Sequence, residues 1–376
     1  MNQRDKKGRC MNTFKFLMPL ILCQLMHLQV NAQPVPASES IESDQIRIGL
    51  LLTEDPENSR LMREAVDVVA LAAEIVNEAG GIRQKPVKII AKSVDGNWGA
   101  GSKQAVSLIY EHQTTALLGF VDGRSAHLIE QVCTKAEIPF ISTLSPDPSL
   151  SRINIPWFFS TLPHADQQSA VLAEALYSNI DGRNILVVTS DDYDQEFISH
   201  SFVDIATDDY REKPAIFRYS AGKNDFSGIV STLSKPNTDA IVFFGASNEL
   251  ESLTEQLRLA DVDVPVYTPI MDLNTEISTH YSSPIYTLRS RSPIHQDTEA
   301  FKARFLERHG YMPGIQTTYL YDGLKLLLRA IRVNGEASDH IRGTLSSISE
   351  PASFDSEGVI KQFLTVVQIH SETRNR

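Results

Sequence analysis

The sequence predicts an α/β protein made of two doubly wound parallel-sheet lobes. Short apolar runs rich in Ile, Val and Phe recur along the chain, and each is followed by an amphipathic stretch at helical spacing. That alternation runs through two consecutive series, and strands alternating with helices pack as parallel sheets through right-handed crossovers. The composition is globular: 376 residues, 42% hydrophobic, 22% charged. The length suits two domains of ordinary size.

Ile46-Arg47-Ile48-Gly49-Leu50-Leu51-Leu52 opens the first series as a buried strand. Ala65, Val68, Val69, Ala72, Ala73 and Val76 predict a helix over about 59–79, which Gly80-Gly81 ends. Further strands fall at 87–90, 116–121, 138–141 and 157–159, with helices over 101–111 and 124–136. The second series starts with a helix near 165–178. Strands follow at 185–188, 215–217, 240–244 and 264–267, and helices at 195–206, 226–233 and 249–260. Helices near 297–309 and 316–333 and a strand pair near 359–370 complete the chain. Open parallel sheets bind ligands beyond the C-terminal ends of their strands, so two such lobes face to face make a cleft.

The first 32 residues have a different character. Arg4, Lys6, Lys7, Arg9 and Lys15 precede an apolar stretch from Phe16 to Val30, which ends at Asn31-Ala32 before Gln33-Pro34. This order predicts a cleaved signal peptide over 1–32 and a periplasmic destination. Met11 would also serve as a start, since Lys15 alone keeps the n-region positive. Leu22 before Cys23 is too large for a lipidation signal. The leader holds five basic residues and one acidic, so the rest of the chain carries a formal charge of −16 against −12 for the whole. That balance argues against nucleic acid, whose phosphates need a basic face. Beyond the leader only Cys133 remains, on an apolar helical stripe, and it reads as a core thiol.

Catalytic patterns are missing from the sequence. There is no G-x-S-x-G elbow and no Walker A loop, and no two of the ten histidines lie three or four residues apart. Asp261-Val262-Asp263 lacks the glycine and distal Glu of a calcium loop. Gly96-Asn97-Trp98-Gly99-Ala100-Gly101 sits where a phosphate loop would, but its glycine spacing is reversed. The expectation is therefore a binding protein without catalytic residues, cofactor or metal. Asp191-Asp192-Tyr193-Asp194 follows a strand, which suits both an acidic helix start and a cleft-lining tyrosine.

Six segments, in order, resemble the type I periplasmic binding proteins of the branched-chain amino acid class. They are Ile46–Leu52, Val76-Asn77-Glu78-Ala79-Gly80-Gly81-Ile82, and Ile138-Pro139-Phe140-Ile141-Ser142 with Asp147-Pro148-Ser149-Leu150. Phe159-Ser160-Thr161-Leu162-Pro163 with Gln167-Gln168, Asp225-Phe226-Ser227 with Asp239-Ala240-Ile241, and Tyr319–Leu324 follow. The resemblance implies two lobes joined by three crossover strands and closing on a ligand by hinge motion. It implies lobe one over 44–161 plus 285–345, and lobe two over 162–284 plus 346–376. It also implies a small polar ligand, an amino acid or related carboxylate or amide, and ABC permease membrane subunits as partners of a monomeric protein. The alternative is a sensory receptor module of the same fold.

The family's site maps onto this chain with losses. The carboxylate-holding Ser falls at Gly123, with Ser125 nearby; Ser145 keeps a hydroxyl, and the following Thr has become Pro146. Tyr193 matches the second-lobe tyrosine, a further aromatic is replaced by Ser247, and the ammonium-binding acid falls near Ile270, with Asp272 two residues on. Arg60 opens the first helix as a candidate partner for a ligand carboxylate, whereas Arg63 reads as solvated. Leucine, isoleucine and valine are expected to bind poorly, and an amino-acid-like or carboxylate compound using Arg60 is the expected ligand.

Overall fold

The structure is a computed structural model. It describes residues 45–95, 99–152, 155–180, 184–233, 238–273, 281–290, 298–348 and 353–369. The leader and the centre of the 96–101 glycine loop lie outside the described residues.

The first sheet has five parallel strands: β1 Ile46–Leu52, β2 Val87–Ser93, β3 Ala116–Phe120, β4 Phe140–Ser142 and β5 Phe158–Ser160, in the order β2-β1-β3-β4-β5. Its strands read as nearly continuous apolar runs because both faces are covered. Ile48, Leu50, Leu118 and Phe120 face α1 (Arg60–Glu78), where Ala65, Val68, Val69 and Ala72 meet them. Leu51, Leu117 and Phe140 point the other way, onto α2 (Ala100–Val106) and α3 (Gly123–Ala136). α2 runs on into a π-helical turn, Ser107–Glu111. The short α4, Ser149–Arg152, precedes β5.

The second sheet contains β6 Ile185–Ser190, β7 Ala215–Tyr219, β8 Ala240–Phe244, β9 Val266–Thr268, β10 Ile285–Ser290 and β11 Leu364–Ile369, in the order β11-β10-β9-β8-β6-β7. Only β11 runs antiparallel to its neighbour. α5 (Ala165–Asn179) and α6 (Tyr193–Asp208) cover one face through Leu172, Leu176, Ile198 and Phe202. α7 (Ser227–Leu233) and α8 (Ser247–Leu259) cover the other through Ile229, Leu250, Leu253 and Leu257.

α9 (Thr298–His309), α10 (Ile315–Asn334) and α11 (Ser338–Ser347) return to the first core, which they reach with Phe305, Leu320, Leu327 and Leu345. α10 also sends Tyr319 into the second core, so it spans both lobes. Both sheets belong to one compact unit.

The chain passes between lobes three times: after β5, between β10 and α9, and between Ile360 and Leu364. Two boundaries differ from the sequence reading. β10 pairs with β9 and β11, so the return to lobe one comes after Ser290, not at 285. Phe354 and Ile360 pack in the first core, and Val359 bridges Ser160, so lobe two resumes only at β11 rather than at 346. The local pattern of β10 and of the 353–360 segment does not reveal which sheet each joins. Tertiary pairing alone decides it.

Candidate functional site

The loops at the C-terminal ends of the strands meet between the lobes around a cavity of about 390 Å³. Lobe one contributes Thr53 and Glu54 after β1, Asp122 after β3, and Leu144 and Pro146 after β4. Lobe two contributes Ser190 and Asp192 after β6, Gly222 after β7, the Gly245–Glu249 turn after β8, and Ile270 and Met271 after β9.

Several helices start at this cavity, and each start is capped by a side chain at its rim. Asp122 caps α3 by accepting from the Ser125 amide at 2.9 Å, and it also accepts from the Ser125 hydroxyl at 3.1 Å. Asp192 caps α6, accepting from the amides of Asp194 at 3.0 Å and Gln195 at 3.3 Å. Glu249 folds back on the start of α8, accepting from the amides of Ala246 at 2.7 Å and Gly222 at 2.5 Å and from the Tyr219 hydroxyl at 2.8 Å. Burial raises the pKa of Asp192 against the lowering effect of its two amide donors.

Beside the cavity the lobes touch directly. Both oxygens of Asp194, on α6, accept from the Gly123 amide at 3.2 Å, and Oδ1 accepts from the Ser145 hydroxyl at 2.8 Å. Burial, with Asp192 and Asp122 nearby, pushes the Asp194 carboxyl well above the usual range, although the Ser145 bond works against this. The Tyr193 hydroxyl donates to Asp147 at 3.0 Å across the same seam. Asp147 is buried, which alone would raise it. Hydrogen bonds from His127, Ser149 and Tyr193 outweigh that and hold it at about 2. Burial and Asp147 push the Tyr193 phenol up, which keeps it a donor.

Gly123 stands where the family resemblance expects a serine, and the seam explains the difference. A Cβ there would lie 2.7 Å from Tyr193 Cε1, 2.8 Å from Asp194 Oδ1 and 2.9 Å from Ser145 Oγ. No side chain fits while the lobes are together.

Of the six residues singled out from sequence, Ser247 alone lines the cavity. Ser145 and Tyr193 lie in the interlobe seam. Ser125 is engaged with the α3 cap. Asp272 is turned to the start of α10, where it accepts from the Gln316 amide at 3.2 Å; burial, with Glu64 nearby, raises it to about 6. Arg60 is exposed and its guanidinium lies over the Tyr311 ring at 5.9 Å. Its neighbour Ser59 caps α1 and faces the cavity, so the side chain of the first helical residue is directed away from it. Sequence reasoning passed over Asp122 and Glu249 and read Asp194 only as an acid at a helix start. The signal for Glu249 was present as a glycine after a strand followed four residues later by a glutamate, a cap-like pattern.

Among solved structures, the substrate-binding protein LivJ of the branched-chain amino acid transporter from Streptococcus pneumoniae, in complex with isoleucine, is 19% identical. It superposes with a TM-score of 0.72 over 86% of this chain and 99% of its own. A solute-binding protein of an ABC transporter from R. palustris, in complex with benzoate, is 14% identical with a TM-score of 0.76, covering 86% and 93%. Among curated proteins, Glutamate receptor 3.7 of Arabidopsis thaliana is 24% identical over 148 residues, which is 39% of this chain and 16% of the receptor. The chain thus matches only a small part of that relative's length. The family model described as periplasmic binding protein matches residues 45–354. With two parallel-sheet lobes around a cleft and that match over most of its length, the chain belongs to the periplasmic binding protein family.

Proposed function

We propose that this chain is an extracytoplasmic solute-binding protein that holds a small polar ligand between its lobes and delivers it to the membrane subunits of an ABC importer. The observation that carries this reading is the cavity itself: it is walled by loops of both lobes, and hydrogen bonds between Gly123, Ser145 and Asp194 close the lobes beside it. The similar structures from S. pneumoniae and R. palustris are transport proteins by their descriptions, and they support the importer assignment. Binding and release suffice for this role, with no bond made or broken in the ligand. A monomer and removal of the leader before Gln33 belong to the same reading, and among the described residues no helix is long and apolar enough to cross a membrane. The match to a plant glutamate receptor favours a second reading, in which closure is passed to a signalling partner.

Thermal unfolding in the presence of a solute panel tests the proposal, because a ligand that binds only the folded state raises its melting temperature. Small-angle scattering of the same samples should contract with the stabilising solute. Solutes that neither stabilise nor compact the protein would count against it. Uptake of the labelled solute by vesicles carrying a matching permease separates transport from sensing.

A further inference from the structure

We propose that the cleft takes a small organic cation bearing N–H donors, a primary alkyl amine, diamine or alkyl guanidine, and rejects free α-amino acids and carboxylates. This rests on the solute-binding reading and names its ligand class.

The charge of the walls is the first reason. Glu54 and Asp122 from lobe one and Asp192, Asp194 and Glu249 from lobe two line the cavity, and its described lining contains no Lys, Arg or His. Arg124, near this group, is exposed and lies over the Tyr193 ring at 5.1 Å. Asp122 of lobe one stands close enough to Asp192 and Asp194 of lobe two for its charge to raise both carboxyls, so like charges face each other from opposite walls. A cation between them turns that repulsion into the attraction that holds the lobes shut.

The second reason is that several of the donors an anion would use at the helix starts are taken by the protein's own carboxylates. A ligand carboxylate is held by backbone amides and hydroxyls at helix starts. Here Asp194 occupies the Gly123 amide and the Ser145 hydroxyl, and Glu249 occupies the amides of Gly222 and Ala246. Asp122 takes the Ser125 amide at the start of α3, and Asp192 takes the Asp194 and Gln195 amides at the start of α6. The protein's own carboxylates sit where a ligand carboxylate would.

Independent of the acids, the wall carries polar atoms that await a partner. Ser190 is 1% exposed and lines the cavity, and its hydroxyl, beside the Tyr219 phenol, makes no well-formed hydrogen bond to a described group. Gln195 Oε1, also in the lining residues, is buried and likewise unpaired among the described residues. Buried polar atoms of this kind are normally satisfied, and both accept an N–H.

Three further observations narrow the class. No Phe, Tyr or Trp lines the cavity, so the aromatic cage that suits a quaternary ammonium is missing from the described lining. No group of three His, Cys, Asp or Glu among the described residues is arranged to hold a metal ion, which favours an organic cation. Leu61, Met62, Leu144, Ile198 and Ile270 form an apolar wall for an alkyl body.

The test is calorimetric titration of the purified protein with n-butylamine, 1,4-diaminobutane and n-butylguanidine against isoleucine, benzoate and tetramethylammonium. The expected result is binding by at least one of the first three and none by the others. Asp192→Asn should weaken that binding about tenfold by removing a charge while asparagine retains the helix cap. Glu54→Gln, at an exposed position, should weaken it in the same direction without affecting the fold. Binding by isoleucine or benzoate with none by the amines overturns the inference and leaves the solute-binding reading intact. Amine binding unchanged in both variants also overturns it. No binding by any of the six overturns the inference as well, and the wider solute panel then judges the solute-binding reading separately.

Discussion

Replacing Gly123 by alanine places a methyl group in the seam between the lobes. The new Cβ would lie 2.7 Å from Tyr193 Cε1 and 2.8 Å from Asp194 Oδ1, both on the opposite lobe. Carbon atoms settle at about 3.5–4.0 Å, so the lobes must part by roughly 0.8 Å or more at this point. The Gly123 amide reaches Asp194 at 3.2 Å in the closed seam, and that separation takes the bond beyond hydrogen-bonding range. Hydrogen bonds to charged groups contribute about 1.5–3 kcal/mol each. With strain at Tyr193 included, the closed form loses about 2–4 kcal/mol. At 1.4 kcal/mol per factor of ten, ligand affinity falls about 30- to 1,000-fold. Gly123 is the first residue of α3 and its backbone suits alanine, so lobe one itself keeps its stability or gains up to about 1 kcal/mol. Titration with the tightest solute, thermal unfolding of the free protein and small-angle scattering read the three effects separately. Wild-type affinity together with wild-type compaction on ligand binding would refute the account of the seam.

Tyr193→Phe removes the donor to Asp147 while keeping the ring against Phe197, at 5.0 Å between centroids; affinity should drop about tenfold with little change in the free protein's melting temperature. Asp147 sits at about 2 in the folded chain against 3.8 ordinarily. Its contribution is therefore present above about pH 4 and lost as the pH falls through about 2; it is worth about 2 kcal/mol, and denaturant titrations across that range should show it vanish in Asp147→Asn. Asp272 has the opposite sign: raised to about 6, it favours the folded chain when protonated, so stability falls as pH rises from about 4 through 6, and Asp272→Asn should flatten that segment. Burial and Glu130 push the Cys133 thiol up, so alkylation of Cys133, read by peptide mass spectrometry, should occur only after unfolding.

The strand and helix alternation was legible from residues 46 to 267 because period-2 and period-3.6 patterns are local, and a strand such as Ile185–Ser190 or a helix such as Arg60–Glu78 announces itself within one window. The two sheets, their parallel sense and the placement of the cleft followed from that alternation. The glycine pair at 80–81 ended the first helix as expected, with both residues at positive φ. The membership of β10 and of the 353–360 segment was not legible, because pairing partners lie tens to hundreds of residues away.

The site divided along the same line. Sequence by itself pointed to the loops after strands as the place for ligand contacts, and the family resemblance implied that Gly123 and Pro146 stand where hydroxyl side chains are expected. Only the tertiary structure decided which side chains face the cavity. Arg60 and Ser59 are adjacent in sequence, yet one lies over Tyr311 and the other faces the cleft, because a helix turns neighbouring residues by 100°. Asp122 and Asp194 are 72 residues apart; Asp194 reads from sequence as an acid at a helix start, and Asp122 carries no such signal. Their joint effect, a cleft wall of negative charge in which Asp194 takes the Gly123 amide of the other lobe, exists only where the tertiary structure brings the two helix starts together. Coulomb energy depends on distance through space, and distance through space is what the linear pattern does not carry.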